Sequence, residues 1–224
     1  MEKERFITVK GIGKLTVPVD YVVIGFTFEE LNKDYKKGYE LFESHIIEVQ
    51  SIIQSCGFDK KDLKTSELKE RTEYEHVNKK GVYIDVFKGY KFSTEMLLRF
   101  DFSSEKLNEI FASITKSKAA PKIKVNFTVK DEEAVKKSLL GNAAKDAKEK
   151  ADILCQSLGV KLGSLLRITY NWDEIEIHST TFYDINDDGM YSNRSPVFVT
   201  GGIDFTPDDI SIEDDASFIW EITD

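Results

Sequence analysis

Apolar and polar positions alternate along much of this chain, and where the alternation stops a helical spacing takes over. Residues 6–12 and 16–28 alternate as strands. In the second, Val22, Ile24, Phe26 and Phe28 oppose Val19, Tyr21 and Val23. Both faces are apolar, so this strand is expected in the middle of a sheet, covered on both sides. Gly11-Ile12-Gly13 reads as a turn between the two strands. It is not a dinucleotide loop, because no helix follows and Thr16 stands where the third glycine belongs. Over residues 34–56, Tyr35, Tyr39, Phe42, Ile46, Val49, Ile53 and Cys56 draw one apolar stripe down a helix, which Gly57 stops.

Residues 63–76 are nearly all polar and predict a long, exposed strand. Residues 83–102 alternate strongly: Tyr90, Phe92, Thr94, Met96, Leu98, Phe100 and Phe102 against Lys91, Ser93, Glu95, Arg99 and Asp101. That is a half-buried strand. Ser103 or Ser104 then caps a short helix carrying Leu107, Ile110, Phe111 and Ile114. After Pro121, Ile123, Val125, Phe127 and Val129 face one way. A second long helix runs from Asp131 to about Leu158, with Asp131, Glu132 and Glu133 at its start, where the helix dipole favours acids, and Gly159 at its end. Residues 164–172 and 210–223 predict further strands, the last with Ile210, Ile212, Ala216, Phe218, Trp220 and Ile222 on one face.

The order strand, helix, strand, strand, helix, strand over about 19–129 is that of a ferredoxin-like βαββαβ portion. The expected fold class is α+β: a mostly antiparallel sheet, two long helices packed on it, and additional C-terminal strands. "IIQSCGFDKKDLKTSEL" and "ILCQSLGVKLGSLLRIT" echo each other, since both long helices run through a glycine and a lysine turn into a strand. Duplication and the general grammar of a helix C-terminus both account for this.

Composition narrows the function classes. Hydrophobic residues make up 41% and charged residues 32% of the 224, an ordinary globular balance. No apolar run approaches the roughly 20 residues that span a bilayer. The start, "MEKERFITVKGIGKL", passes directly into a strand pattern without an apolar leader, so the chain as written is expected in the cytoplasm, with periplasm or cell envelope the alternative for a trimmed form. Lys and Arg total 31 against 40 Asp and Glu, a net charge of −9 that would repel phosphate, so nucleic acid is not the expected partner. The acids concentrate after Tyr170, where Arg194 is the single base, while Lys116, Lys118, Lys122 and Lys124 cluster without an acid between them. That asymmetry predicts charge complementarity within the chain or between subunits. Cys56 and Cys155 are too few for a disulfide framework and too far apart for a zinc site, and read as buried thiols.

No catalytic constellation announces itself. His45, His76 and His178 are scattered, and HExxH, CxxC, P-loop and GxSxG patterns do not occur. The pairs Asp187/Asp188, Asp208/Asp209 and Asp214/Asp215 read as solvated acidic loops. No catalytic residue, cofactor or metal is therefore assigned. One partial metal signal remains. Asp184, Asn186, Asp188 and Gly189 occupy positions 1, 3, 5 and 6 of an EF-hand calcium loop. Position 12, which should supply a bidentate glutamate, is Ser195, and the flanks "EIEIHSTTFY" and "PVFVTGG" read as extended chain. Asp, Asn and Gly are also what a polar surface turn uses.

Several stretches together resemble the SIMPL-domain family. "ITVKGIGKLTVPVDYVVIGFTFE", with Gly11, Gly13, Pro18 and Asp20, resembles the family's opening strand, G-x-G element and V-x-P-D link. "GFDKKDLKTSEL" and "GYKFSTEMLLRFDF" are similar to its post-helix segment and its long strand, and "AAKDAKEKADILCQSLGVKLGSLLRIT" to its Ala- and Lys-rich helix ending in L-G-V-x-L-G. The likeness covers nearly the whole chain in order. It implies a single SIMPL-like domain over 1–224, with a possible subdivision near 130 and an acidic variable loop over 173–206. It also implies no established catalytic activity, links to oxidative stress and to envelope or periplasmic bacterial proteins, and ring-like homo-oligomers.

The leading expectation is a non-enzymatic, homo-oligomeric scaffold or stress-associated protein. The first alternative is a module that binds a protein or small molecule through the polar strand 63–76 and loop 173–206, with Trp172, Phe182, Tyr183 and Tyr191. The second is an enzyme whose site is assembled from distant residues.

Overall fold

The structure, a computed structural model, describes residues 5–79, 81–170, 175–185 and 205–224. It is α+β. In chain order come β1 (Phe6–Val17), β2 (Tyr21–Asn32), α1 (Tyr35–Ser55), β3 (Leu63–Lys79), β4 (Val82–Asp101), α2 (Ser104–Ile114), β5 (Lys122–Thr128), α3 (Glu132–Leu158), β6 (Lys161–Tyr170), β7 (Phe182–Ile185) and β8 (Ile210–Thr223). The chain divides into two compact units. One comprises Met1–Val19, Thr128–Thr180 and Asp208–Asp224, the other Asp20–Phe127 and Thr181–Pro207. Each long helix packs on a sheet of its own.

In the first unit the sheet order is β1-β8-β6, with both pairings antiparallel. α3 lies on this sheet, and Ala147 and Ala151 meet Val9, Ala216, Phe218 and Trp220 in a buried cluster. The strand β1 runs straight through Gly11-Ile12-Gly13, so the turn expected there is corrected: the interruption falls at Pro18, which has no N–H to give to a ladder. The glycines serve a different purpose. A Cβ on Gly11 would sit 2.0 Å from the Ala143 carbonyl oxygen, and one on Gly13 would sit 2.1 Å from that of Leu139. Helix backbone therefore rests on strand backbone. From the same helix, Asp146 accepts the Ile12 N–H at 2.7 Å, Asn142 donates to the Lys14 carbonyl at 3.1 Å, and Lys150 donates to the Lys10 carbonyl at 3.4 Å.

In the second unit the sheet order is β3-β4-β2-β5-β7. β4 pairs antiparallel with both β2 and β3, and β2 sits between β4 and β5. α1 lies across β2 and β4 and beside α2. Val22, Ile24, Phe26, Phe92, Leu98 and Phe127 from the sheet are buried with Val49, Ile53, Leu107 and Ile110 from the helices. The far face of β2 is less covered than its two apolar faces suggest, with Tyr21, Val23 and Thr27 half-buried. Ser103 caps α2 by accepting the Lys106 N–H, and Asp34 and Asp131 cap α1 and α3 in the same way. Residues 182–185, inside the segment read as an acidic loop, form the short strand β7 on the edge of β5.

Both long helices end by one device. Gly57 and Gly159 adopt left-handed φ values of 88° and 72°. Phe58 and Val160 then donate back to Ile53 and Cys155, closing two Schellman turns. Among the described residues, no helix is long and apolar enough to cross a membrane.

Two predictions follow from the α3–β1 seam. Gly11→Ala forces helix and strand apart and lowers stability by about 3 kcal/mol, the upper range for overpacking, read as a shifted denaturation midpoint. Asp146 is held below the ordinary carboxylate range, chiefly by the Lys150 hydrogen bond and then by the Ile12 N–H. A depressed carboxyl contributes stability above its unfolded pKa and loses it as pH falls through its folded value. Asp146→Asn should therefore lower the Tm by a constant amount near neutral pH, and the gap should close at acid pH. A gap independent of pH would contradict this.

Candidate functional site

The most distinctive surface begins where the larger sheet runs out of strands. β2 pairs with β4 only from Tyr90 to Asp101, whereas β3 follows β4 out to the pair Lys79↔Val82. From Glu73↔Gly89 outward the sheet is a two-stranded ribbon, turned at Gly81 with φ +87°. At the ribbon's root, a Cβ on Gly89 would come within 2.6 Å of the Asn32 carbonyl oxygen, so only glycine lets the ribbon leave β2 this closely.

Residues opposite one another across an antiparallel pair share a face. The pairs Tyr74↔Phe87, His76↔Asp85 and Asn78↔Tyr83 define one face, and Glu75↔Val86, Val77↔Ile84 and Lys79↔Val82 define the other. The first is aromatic. Tyr74 lies 5.7 Å from Phe87, Phe87 lies 5.3 Å from Tyr90, Tyr90 lies 5.3 Å from Tyr35, and Tyr35 lies 5.3 Å from the buried Phe92. These edge-on rings, each contact contributing about 0.5–1.5 kcal/mol, tie the ribbon's root to the core. Farther out the rings are open: Tyr83 is 73% exposed and Tyr74 53%. The second face is aliphatic, and Val82 on it is 62% exposed. Both sides of the ribbon thus present apolar side chains to solvent.

Several ionisable groups elsewhere hold elements together. Lys91 and Lys122 bracket Glu29 at 2.9 and 3.3 Å, and the Lys91 hydrogen bond leads in holding that carboxyl below its usual range. Tyr170 donates to Asp214 at 2.7 Å, which pushes the phenol up to about 12. Glu95 accepts from Ser66 at 2.9 Å. Three of the C-terminal acids meet bases inside the first unit: Lys10 pairs with Asp215, Lys14 with Glu213, and Arg5 with Asp224. From the lysine cluster, Lys122 holds Glu29 and Lys124 stands opposite Asp184 in the β5–β7 register.

Of the calcium-loop candidates, Asp184 lies in β7, in extended chain. Asn186, Asp188, Gly189 and Ser195 lie outside the described residues, as do Trp172 and Tyr191. Among the described residues, no three His, Cys, Asp or Glu side chains gather as a metal would need. His76 lies against Asp85 on the aromatic face of the ribbon, and His178 lies 3.8 Å from Glu176. Cys56 and Cys155 are buried free thiols. Of the candidate binding aromatics, Phe182 is exposed, whereas Tyr183 packs inward, 5.1 Å from Phe205 and 5.9 Å from Phe127. The polar strand proposed over 63–76 is exposed as expected. The apolar ribbon residues Val82, Tyr83, Ile84, Val86 and Phe87 are not among the binding residues expected from the sequence. Their signal was the run Val82-Tyr83-Ile84, apolar in both strand phases, just ahead of Gly89.

No curated protein matches the chain. Among protein families, residues 7–218 match SIMPL, described as a protein of unknown function (DUF541). That match spans both units and every described helix, and the chain belongs to the SIMPL family.

Proposed function

We propose that this SIMPL protein is a non-enzymatic homo-oligomer, acting as a scaffold or stress-associated factor through its outer surfaces. The observation that carries the reading is the two-stranded ribbon with apolar side chains on both faces. Such a ribbon standing alone in water is marginal. Covering it removes apolar area from solvent at about 25 cal/mol per Å², and that gain supports a role for the ribbon in association. The stress-associated part rests on the resemblance to relatives linked to oxidative stress. The non-enzymatic part is supported by how the ionisable groups are used: Glu29, Asp146, Asp214 and Glu95 each hold a neighbouring strand or helix.

Native mass spectrometry and sedimentation of the full chain should show a defined multimer at about 100 μM, well above the concentration at which a micromolar contact forms. A monomer throughout, at low salt, would contradict the reading. Added calcium should leave that mass unchanged, and a stoichiometric increment would point back to Asp184.

A further inference from the structure

We infer that the aliphatic face of the β3–β4 ribbon is a self-complementary contact, and that it packs on the same face of a second copy of this chain, tip to base. The inference rests on the homo-oligomer reading and names its surface. Along β3 this face reads Glu75, Val77, Lys79, and along β4 it reads Val86, Ile84, Val82. An acid stands at the root end and a base at the tip, with aliphatic side chains between and beside them. Glu75 and Lys79 are both exposed.

Two copies can lay this face on itself about a twofold axis in two ways. With both tips at the same end, β3 lies over the partner's β4, and Glu75 and Lys79 are each pressed onto a valine. That desolvates a charge without pairing it. With the ribbons running tip to base, β3 lies over the partner's β3. Glu75 then meets Lys79 of the second copy at both ends, Val82 meets Val86, and Val77 and Ile84 each meet their own counterparts near the axis. The pattern of one acid and one base, symmetrically placed about Val77, fits the second arrangement and fits a twofold contact in general. The outer edge of β3, rich in Lys and Glu from Lys64 to Glu75, is the kind that resists strand addition, so the face and not the edge is the docking element. Seven residues of strand cover roughly 23 Å by about 10 Å, well short of the ~800 Å² per partner of a standard interface. This contact is therefore weak alone and serves as one joint within a larger assembly.

The test uses the full-length chain. Ile84→Asp buries a charge in the contact and should weaken association at least about tenfold, read by sedimentation equilibrium. Glu75→Lys sets like charges together at both ends and should weaken it as well, while Glu75→Lys combined with Lys79→Glu should restore it. Val77→Cys places two thiols near the axis and should give a covalent dimer on mild oxidation, whereas Leu68→Cys, on β3 outside the ribbon, should not. The native cysteines are buried and do not compete. A wild-type multimer whose mass is unchanged by Ile84→Asp and Glu75→Lys, with no Val77→Cys dimer, overturns this surface and leaves the homo-oligomer reading standing. A loss in Glu75→Lys that the charge swap fails to restore overturns the tip-to-base arrangement. A wild-type chain that stays monomeric to about 1 mM overturns both the surface and the reading.

Discussion

A helix can run along the free edge of a strand only if no side chains hold the two backbones apart. In the first unit that condition is met by Gly11 and Gly13 on β1 and by Ala143 and Ala147 on α3. The two periods then match. Two strand residues advance about 6.7 Å and four helical residues about 6 Å, so one step along β1 corresponds to one turn of α3. Gly13 therefore meets Leu139 and Ala143, and Gly11 meets Ala143 and Ala147. The same match brings Asn142, Asp146 and Lys150 to the carbonyl of Lys14, the N–H of Ile12 and the carbonyl of Lys10. Those backbone groups point away from β8 and would otherwise offer a template for another chain. Close seating and edge protection are one arrangement, and the burial of Phe218 and Trp220 beneath α3 depends on it.

The second unit handles its edges differently. β7 covers β5, while β3 stays open and relies on charge. Alternating Lys and Glu, with pairs such as Lys69–Glu67 and Arg71–Glu73, keep that edge hydrated. Exposed pairs of this kind contribute little to stability. Their effect is to make strand addition costly. The interior is meanwhile secured around β2, whose Val22, Ile24 and Phe26 are fully buried. A well-defended edge and a strong centre together let the sheet extend a ribbon past its last supporting strand.

Most of this architecture was legible in the sequence because it is written in period. The stripe Phe42, Val49, Ile53, the alternation Phe92 to Leu98 and the Ser103 cap depend on near neighbours, and each element formed where the pattern put it. Gly11-Ile12-Gly13 misled because two glycines around an apolar residue look the same in a turn and under a helix; only α3, well over a hundred residues away, tells them apart. The strand β7 was illegible for a similar reason. Four residues among acids carry little signal of their own, and Tyr183 turns inward because Phe127 and Phe205 are waiting for it. The ribbon was half legible: its strands were expected, but its exposure depends on where β2 stops.

That stopping point bears on what the ribbon is for. A hairpin that turned at Glu73 and Gly89 would have paired every residue that β2 can support. The residues beyond it are covered only in part, with Ile84, Val86 and Phe87 37–39% exposed, yet ordering each of them costs conformational entropy. Their cross-strand hydrogen bonds return only modest net stability in water, and the aromatic run from Phe92 to Tyr74 anchors one face near the root alone. A ribbon kept only for its own chain would be expected to carry polar side chains, as the lower part of β3 does. This one carries Val82, Ile84 and Val86 on one side and Tyr83 and Phe87 on the other. In the pairing proposed above, a second copy would supply the favourable term that the isolated chain lacks by covering an apolar face, and the order of the ribbon and that pairing would be parts of one equilibrium.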